Sequence, residues 1–248
     1  MRKICSLLFI ILLILPFAVY SQDDEEKIDP TLTEVWEPVP RVVVPGDGNL
    51  APSDAIVLFN GADASEWLGK DGNPIKWKIE DGCMTVVDKT GEIHTRRVFG
   101  DCQLHIEFRT PVKVKGESQG RGNSGIFFMD RYELQVLDSY ENRSYSNGQC
   151  GSIYKQAIPL VNACRKPGEW QTYDVVFTAP RFNDDGILIA PARMTAFQNG
   201  VLIQNNFEIK GNTVYRGMPA YAPHGKAPIR LQDHGNPVSY RNIWIREL

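Results

Sequence analysis

An all-β sandwich is the fold class this sequence predicts, on three observations. From Ile56 to the C-terminus, short apolar-rich runs recur between Gly, Asn, Asp and Pro residues. Several of these runs alternate apolar and polar residues with the period of two that belongs to a half-buried strand. No run carries helical periodicity over the length of a stable helix. Regularly spaced short strands predict two packed antiparallel sheets, with a lipocalin-like closed barrel as the competing architecture.

The chain has 248 residues, 42% hydrophobic and 23% charged, which suits one globular domain with a sizeable core. Three segments are expected. Residues 1–21 read as a signal peptide: Arg2 and Lys3 precede an apolar run from Ile4 to Val19, and Val19-Tyr20-Ser21 offers small residues for cleavage. The run is short for a spanning helix, so an exported protein, periplasmic or at the outer surface, without stable membrane insertion is expected. Residues 22–53 read as a Pro-rich extension, with an acidic Asp23–Glu26 run and Pro30, Pro38, Pro40, Pro45 and Pro52. Residues 54–248 form the sandwich domain. Loss of the leader leaves 25 basic against 30 acidic residues. That mildly acidic balance, without a Lys/Arg cluster, argues against nucleic acid as a partner.

The expected strands are Ile56–Leu58, Trp77–Glu80, Met84–Val87, Cys102–Arg109, Gly125–Met129, Tyr132–Leu137, Gln171–Thr178, Arg193–Gln198, Val201–Asn206, Ile229–Gln232 and Ser239–Glu247. Asn199-Gly200 between two alternating runs is a strong hairpin signal. Gly125–Met129 and Tyr132–Leu137 flank Asp130-Arg131 and form a second expected hairpin. In its second arm Leu134 and Val136 share one face and enter the core, leaving Glu133 and Gln135 on the other. With Asp138 and the preceding Gly120, Gly122 and Gly125, this hairpin suits the floor of a sugar-sized site; an edge hairpin with a solvated polar face is the alternative. In Cys102–Arg109, Leu104, Ile106 and Phe108 face the core, and His105, Glu107 and Arg109 line the opposite face. If this strand neighbours the Glu133 strand, the two polar rows merge into one functional surface.

Other residues are read against simpler roles. His94, beside Arg96 and Arg97, suits the surface. His224, in the Pro- and Gly-rich Tyr221–Pro228 stretch, suits either loop stabilisation or a lid. His234 follows a strand in Leu231-Gln232-Asp233-His234-Gly235 and suits a strand mouth. Tyr154, Trp67, Trp77 and Trp170 offer flat faces for sugar stacking, although tryptophans at strand positions such as Trp77 usually belong to the core. Cys83, Cys102, Cys150 and Cys164 follow the leader; Cys150–Cys164 and Cys83–Cys102 are pairings to consider, with buried free thiols as the alternative.

Read in order, these motifs resemble the 3-keto-disaccharide hydrolase domain family of exported bacterial proteins. The resemblance rests on Leu58-Phe59-Asn60-Gly61 with Trp67, Glu107-Phe108-Arg109, Asn123-Ser124-Gly125-Ile126 and Tyr132–Asp138. Gly151-Ser152-Ile153-Tyr154, Gly168-Glu169-Trp170, Asn199-Gly200, Leu231–Gly235 and Arg241–Ile245 continue it, and the set covers residues 56–248. Cys102 departs from it, standing where the family often has an aromatic residue. The resemblance implies a concanavalin A-like jelly-roll of two curved antiparallel sheets with a carbohydrate site on the concave face. It also implies action on glycosides whose sugar is oxidised to a ketone at carbon 3.

A ketone at carbon 3 acidifies the hydrogen on carbon 2, so a base can remove it while the aglycone leaves carbon 1, and water can then add. That chemistry calls for a base, an acid and a group that holds enolate charge. The expected catalytic residues are Glu133, Asp138 and His234, with Tyr154 as an alternative acid. Arg109, Asn123, Gln135, Tyr154 and Gln232 are expected to bind substrate. A divalent metal ion held by His105 and Glu107 could serve the enolate in place of Arg109. Two other functions compete. Glu133-x-Gln135-x-x-Asp138 also resembles the Glu-x-Asp-x-x-Glu signature of retaining jelly-roll glucanases, although five residues at about 3.3 Å each place those carboxylates far beyond the roughly 5 Å that retention needs. A non-catalytic carbohydrate-binding module would use the same face.

Overall fold

The computed structural model describes residues 29–248, so the expected leader and the start of the extension lie outside the described residues. The described chain divides into two units at Val42/Val43. Among the described residues up to Val42 the one regular element is a 3-10 turn, Pro30–Thr33, whose N-cap Asp29 accepts from the Thr31 amide at 3.0 Å.

The second unit, Val43–Leu248, begins before the boundary expected at residue 54. The reason is visible at Asn49: its carbonyl accepts from the Trp244 indole at 3.0 Å and from Asn242 at 2.9 Å, which ties this stretch to the domain. Its strands are β1 (Ile56–Phe59), β2 (Trp67–Gly69), β3 (Lys78–Glu80), β4 (Cys83–Thr85), β5 (Ile93–Thr95), β6 (Cys102–Arg109), β7 (Ser124–Phe128) and β8 (Tyr132–Val136). They continue as β9 (Gln171–Thr178), β10 (Arg181–Phe182), β11 (Leu188–Ala190), β12 (Arg193–Gln198), β13 (Val201–Glu208), β14 (Arg230–Leu231) and β15 (Ser239–Glu247). Among the described residues there is no α-helix.

Two large, separate antiparallel sheets result, with a two-stranded β10-β11 ribbon beside them, which rules out the closed barrel. The larger runs β13-β12-β9-β6-β15-β4-β3, with β1 also on β15; the smaller runs β2-β5-β14-β7-β8. The inner faces are the apolar halves of the alternating runs. Leu104, Ile106 and Phe108 of β6 and Tyr173, Val175 and Phe177 of β9 meet Ile126, Phe128, Leu134 and Val136 of the small sheet, all buried. Phe177 bridges the layers, its ring 5.0 Å from Phe128 and 5.7 Å from Tyr132. Two polar links also cross the core: Tyr240 donates to Ser124 Oγ at 2.7 Å and Tyr173 to the Gln135 carbonyl at 2.8 Å. A buried hydroxyl without such a partner would oppose folding.

Both hairpins form. Asn199 and Gly200 take φ of 53° and 80°, the left-handed pair of a two-residue type I′ turn that matches strand twist. In the β7–β8 hairpin the left-handed residues are Met129 (51°) and Asp130 (60°), not Asp130-Arg131, and Arg131 donates back to the Phe128 carbonyl at 3.0 Å.

One expectation is corrected. β6 lies between β9 and β15 in the large sheet, whereas β8 is the edge of the small one. Since both strands turn their apolar sides inward, their polar rows sit on opposite outer faces of the sandwich and cannot form one surface. The four described cysteines are free thiols, Cys83, Cys102 and Cys150 buried and Cys164 partly so.

Candidate functional site

The outer face of the small sheet carries a cavity of about 310 Å³. β8 supplies Glu133 and Gln135 by alternation, and β7 supplies Phe127, with Asn123 just before that strand. Arg230 of β14 and the following Gln232 and His234 form another wall, and Tyr154, Thr213 and Tyr215 close the side. Gly125 lies directly opposite Gln135. A Cβ at Gly125 would collide with Glu133 Oε1 and approach the Phe127 ring to 2.9 Å, so a larger residue there would displace the carboxyl from this position.

Glu133 is 4% exposed, and its carboxyl makes no hydrogen bond or ion pair among the described residues. Burial pushes its pKa up to about 8, and the positive charge of Arg230 opposes this. Arg230 itself is fixed by an ion pair to Asp130 and by stacking on Phe127 at 3.6 Å. Gln135 is oriented by donating to Asn123 Oδ1 at 3.2 Å, and Asn123 in turn donates to the Gln119 carbonyl at 2.7 Å. The other end of Gln135, Oε1, is buried without a partner. A buried orphan acceptor on a cavity wall is suited to a ligand hydroxyl. Tyr154 shares a hydrogen bond with Tyr145 at 2.7 Å; burial, then Tyr145 and the nearby Glu133, raise its pKa and keep the phenol protonated.

Of the residues singled out in the sequence, Glu133, Asn123, Gln135, Tyr154, Gln232 and His234 come together here. The others do not. Asp138 is held by Arg121 at 2.5 Å and by the Tyr140 amide, and it lines a different cavity beyond the end of β8. Arg109 lies on the outer face of the large sheet, where it and Arg241 stack on Trp170 at 4.7 and 4.1 Å. His105 and Glu107 share that face. His105 bonds Asp174 at 2.6 Å and stacks on Trp244, and Glu107 is held by Arg241 at 2.6 Å and Asn242 at 3.0 Å. Burial opposes ionisation of Glu107, but Asn242 and Arg241 outweigh it and lower its pKa. The expectation that Arg109, or a metal on His105 and Glu107, serves the Glu133 site is therefore corrected. Among the described residues no group of three or more His, Cys, Asp or Glu is placed to hold a metal ion.

His224 bonds the Tyr132 hydroxyl at 2.7 Å at another cavity. Trp67 and Trp77 are buried, each with its indole N–H on a backbone carbonyl. Arg230, Phe127, Thr213 and Tyr215 were not anticipated. Arg230 shares the parity of Gln232 in the expected run Ile229–Gln232, a signal that was available; the turn-rich stretch holding Thr213 and Tyr215 carries none.

Residues 54–246 match the family model described as the 3-keto-alpha-glucoside-1,2-lyase-like domain. The chain belongs to that family. The lyase-like domain thus spans nearly all of the second unit, and the Glu133 cavity lies within it. The chain is also 52% identical to a candidate glycosyl hydrolase from Parabacteroides distasonis ATCC 8503 of known crystal structure, with TM-score 0.86 over 89% of this chain and 97% of that one. A second structure from the same strain, also described as a candidate glycosyl hydrolase, is 21% identical with TM-score 0.58, over 79% of this chain and 94% of that one, and shares the fold. The 3-keto-disaccharide hydrolase of Bacteroides thetaiotaomicron is 26% identical over 79% of this chain and 80% of its own length.

Proposed function

We propose that this lyase-like domain is an enzyme that cleaves glycosides oxidised to a ketone at carbon 3, by elimination followed by hydration. The observation that carries the reading is that, among the described residues, Glu133 is the one carboxylate lining the cavity. An ordinary glycosidase needs two, about 5–5.5 Å apart for retention or roughly 6.5–9.5 Å for inversion. Asp138, the nearest expected partner, is engaged by Arg121 elsewhere. A single base suffices for removal of an acidified α-hydrogen. The family description and the name of the Bacteroides thetaiotaomicron relative support the same substrate class.

In the proposed reaction Glu133 takes the proton from carbon 2. The electron pair of that bond forms the carbon 1–carbon 2 double bond through the enolate, and the carbon 1–oxygen bond breaks. Arg230, the cationic group of the cavity near Glu133, opposes the negative charge that gathers on the carbon 3 oxygen. Tyr154, kept protonated, and His234 are the cavity's proton donors to the departing oxygen. Water then adds across the double bond, with hydroxyl to carbon 1 and a proton to carbon 2, to complete net hydrolysis. Gln135 Oε1 and Asn123 read ring hydroxyls.

The Arg2-Lys3 pair and apolar run support an exported protein acting on carbohydrate in the periplasm or at the outer surface. Among the described residues no helix is long and apolar enough to cross a membrane. The test is turnover of paired 3-keto glycosides and their unoxidised parents, followed by mass spectrometry. Aglycone release from the keto compounds alone is expected, with Glu133→Gln inactive. Cleavage of the parents would return the reading to a glucanase-like enzyme, and binding without cleavage would leave a carbohydrate-binding module.

A further inference from the structure

One end of the Glu133 cavity is bounded by Tyr154 and Tyr215, which together with Tyr145 behind them are arranged around a lysine. Lys155 Nζ lies 4.3 Å from the centre of the Tyr215 ring and 5.7 Å from those of Tyr145 and Tyr154. It also donates to the Tyr215 carbonyl at 2.7 Å, which joins the loop after β8 to the segment that follows β13. Lys155 reaches this position through a left-handed backbone, φ 58°, a conformation uncommon for a lysine, and its amide is held by the Asn147 carbonyl at 2.7 Å. The Tyr145 and Tyr154 rings meet edge to face at 6.3 Å with their hydroxyls bonded. A cation facing three rings fixes their orientation, since it is attracted to each ring face.

These rings are not core residues. Tyr215 is 68% exposed and Tyr145 39%, while Tyr154 and Tyr215 also line the cavity that holds Glu133. A cavity of about 310 Å³ is at the small end of ligand sites, enough for the oxidised sugar with little room for what is attached to it. The group leaving carbon 1 must therefore extend past a wall. On the side of Asn123 and His234 the walls are polar. On the side of Tyr154 the rings offer flat, apolar faces already held in place, the surface that stacks on the C–H face of a pyranose or on an aryl ring.

We propose that Tyr154 and Tyr215, with Tyr145 and clamped by Lys155, form the leaving-group subsite of this enzyme, selective for a leaving group that is itself a six-membered ring. The inference rests on the proposed function for the oxidised sugar's position and goes beyond it by placing and classifying the leaving group. Lys155 acts here as a positioning residue: it does not line the cavity, and its work is to hold the rings.

The test compares wild type with Lys155→Met and Lys155→Arg on three 3-keto glucosides, carrying a methyl, a phenyl or a second glucosyl leaving group. Lys155→Met is expected to raise KM about tenfold for a ring-bearing substrate and to leave KM for the methyl compound within about twofold; any fall in kcat, from loosening Tyr154 as a proton donor, should be the same for all three substrates. Lys155→Arg should restore KM, because a guanidinium also stacks on tyrosine. An effect confined to phenyl or to glucosyl identifies which ring the subsite takes. An equal rise in KM on the methyl compound, or no rise on any, would overturn the subsite. Titration calorimetry with unoxidised phenyl glucoside and disaccharide keeps the two ideas separable. Binding that weakens in Lys155→Met without turnover in either protein supports the subsite and removes the proposed activity; turnover with unchanged affinity and KM does the reverse.

Discussion

Replacing Glu133 with glutamine should stabilise the protein, by an amount that grows with pH. The carboxyl is 4% exposed, without a hydrogen-bond partner, and burial moves its pKa from an ordinary 4.5 to about 8. Between those values the native state binds more protons than the unfolded chain, so the wild-type stability falls as pH rises through that window and the full deficit is present above pH 8. At about 1.4 kcal/mol per pH unit, the interval from 4.5 to 8 sets a ceiling of roughly 5 kcal/mol. Water entry and relaxation around the charge reduce this, and an observed gain of about 3 kcal/mol is expected. Glutamine has the shape of the neutral acid and no charge to bury. Urea denaturation of both proteins from pH 4.5 to 8.5 reads the difference directly: near zero at the acid end, rising steadily to the alkaline end. A difference that stays flat with pH would refute the buried, unpaired carboxyl and with it the base assigned to this cavity.

Three further outcomes follow from the same geometry. Gly125→Ala should lower kcat/KM about 100-fold with the fold retained, because its Cβ displaces the Glu133 carboxyl; steady-state kinetics with circular dichroism checks both halves. Arg230→Met replaces the guanidinium that lies over Phe127 with an uncharged side chain, and kcat should fall about 10²–10³-fold with KM little changed. EDTA should leave turnover unaffected, since His105 and Glu107 are committed to Asp174, Arg241 and Asn242 on the opposite face of the sandwich; inactivation reversed by a divalent ion would contradict this.

The strand pattern that built the small sheet was readable because alternation is local. Leu134 and Val136 inward, Glu133 and Gln135 outward, needed only the residues of β8 themselves. The same reasoning assigned His105 and Glu107 correctly to an outward face, yet alternation says nothing about which sheet a strand joins. Pairing is set by contacts distant in sequence, such as Trp244 opposite His105, and that placement sent the second polar row to the far side. Asp138 was misjudged for a related reason: its partner Arg121 arrives from the loop before β7, and no spacing in the sequence marks the pair. β2 and β5 have three residues each, too few to show a period. Gly125 was legible as part of a glycine-rich floor, but its need to be glycine appears only when Glu133 is seen lying across it.

The central claim, removal of the carbon 2 hydrogen by Glu133 during cleavage, is tested most directly with a 3-keto glucoside carrying deuterium at carbon 2. Cleaved by wild type in ordinary water and sampled early by mass spectrometry, the released 3-keto sugar should have lost its deuterium in step with aglycone release. A slower rate than the unlabelled compound should accompany that loss. Released sugar that keeps its deuterium, at an unchanged rate, would show that the bond at carbon 1 breaks without proton removal at carbon 2, and the account would fall.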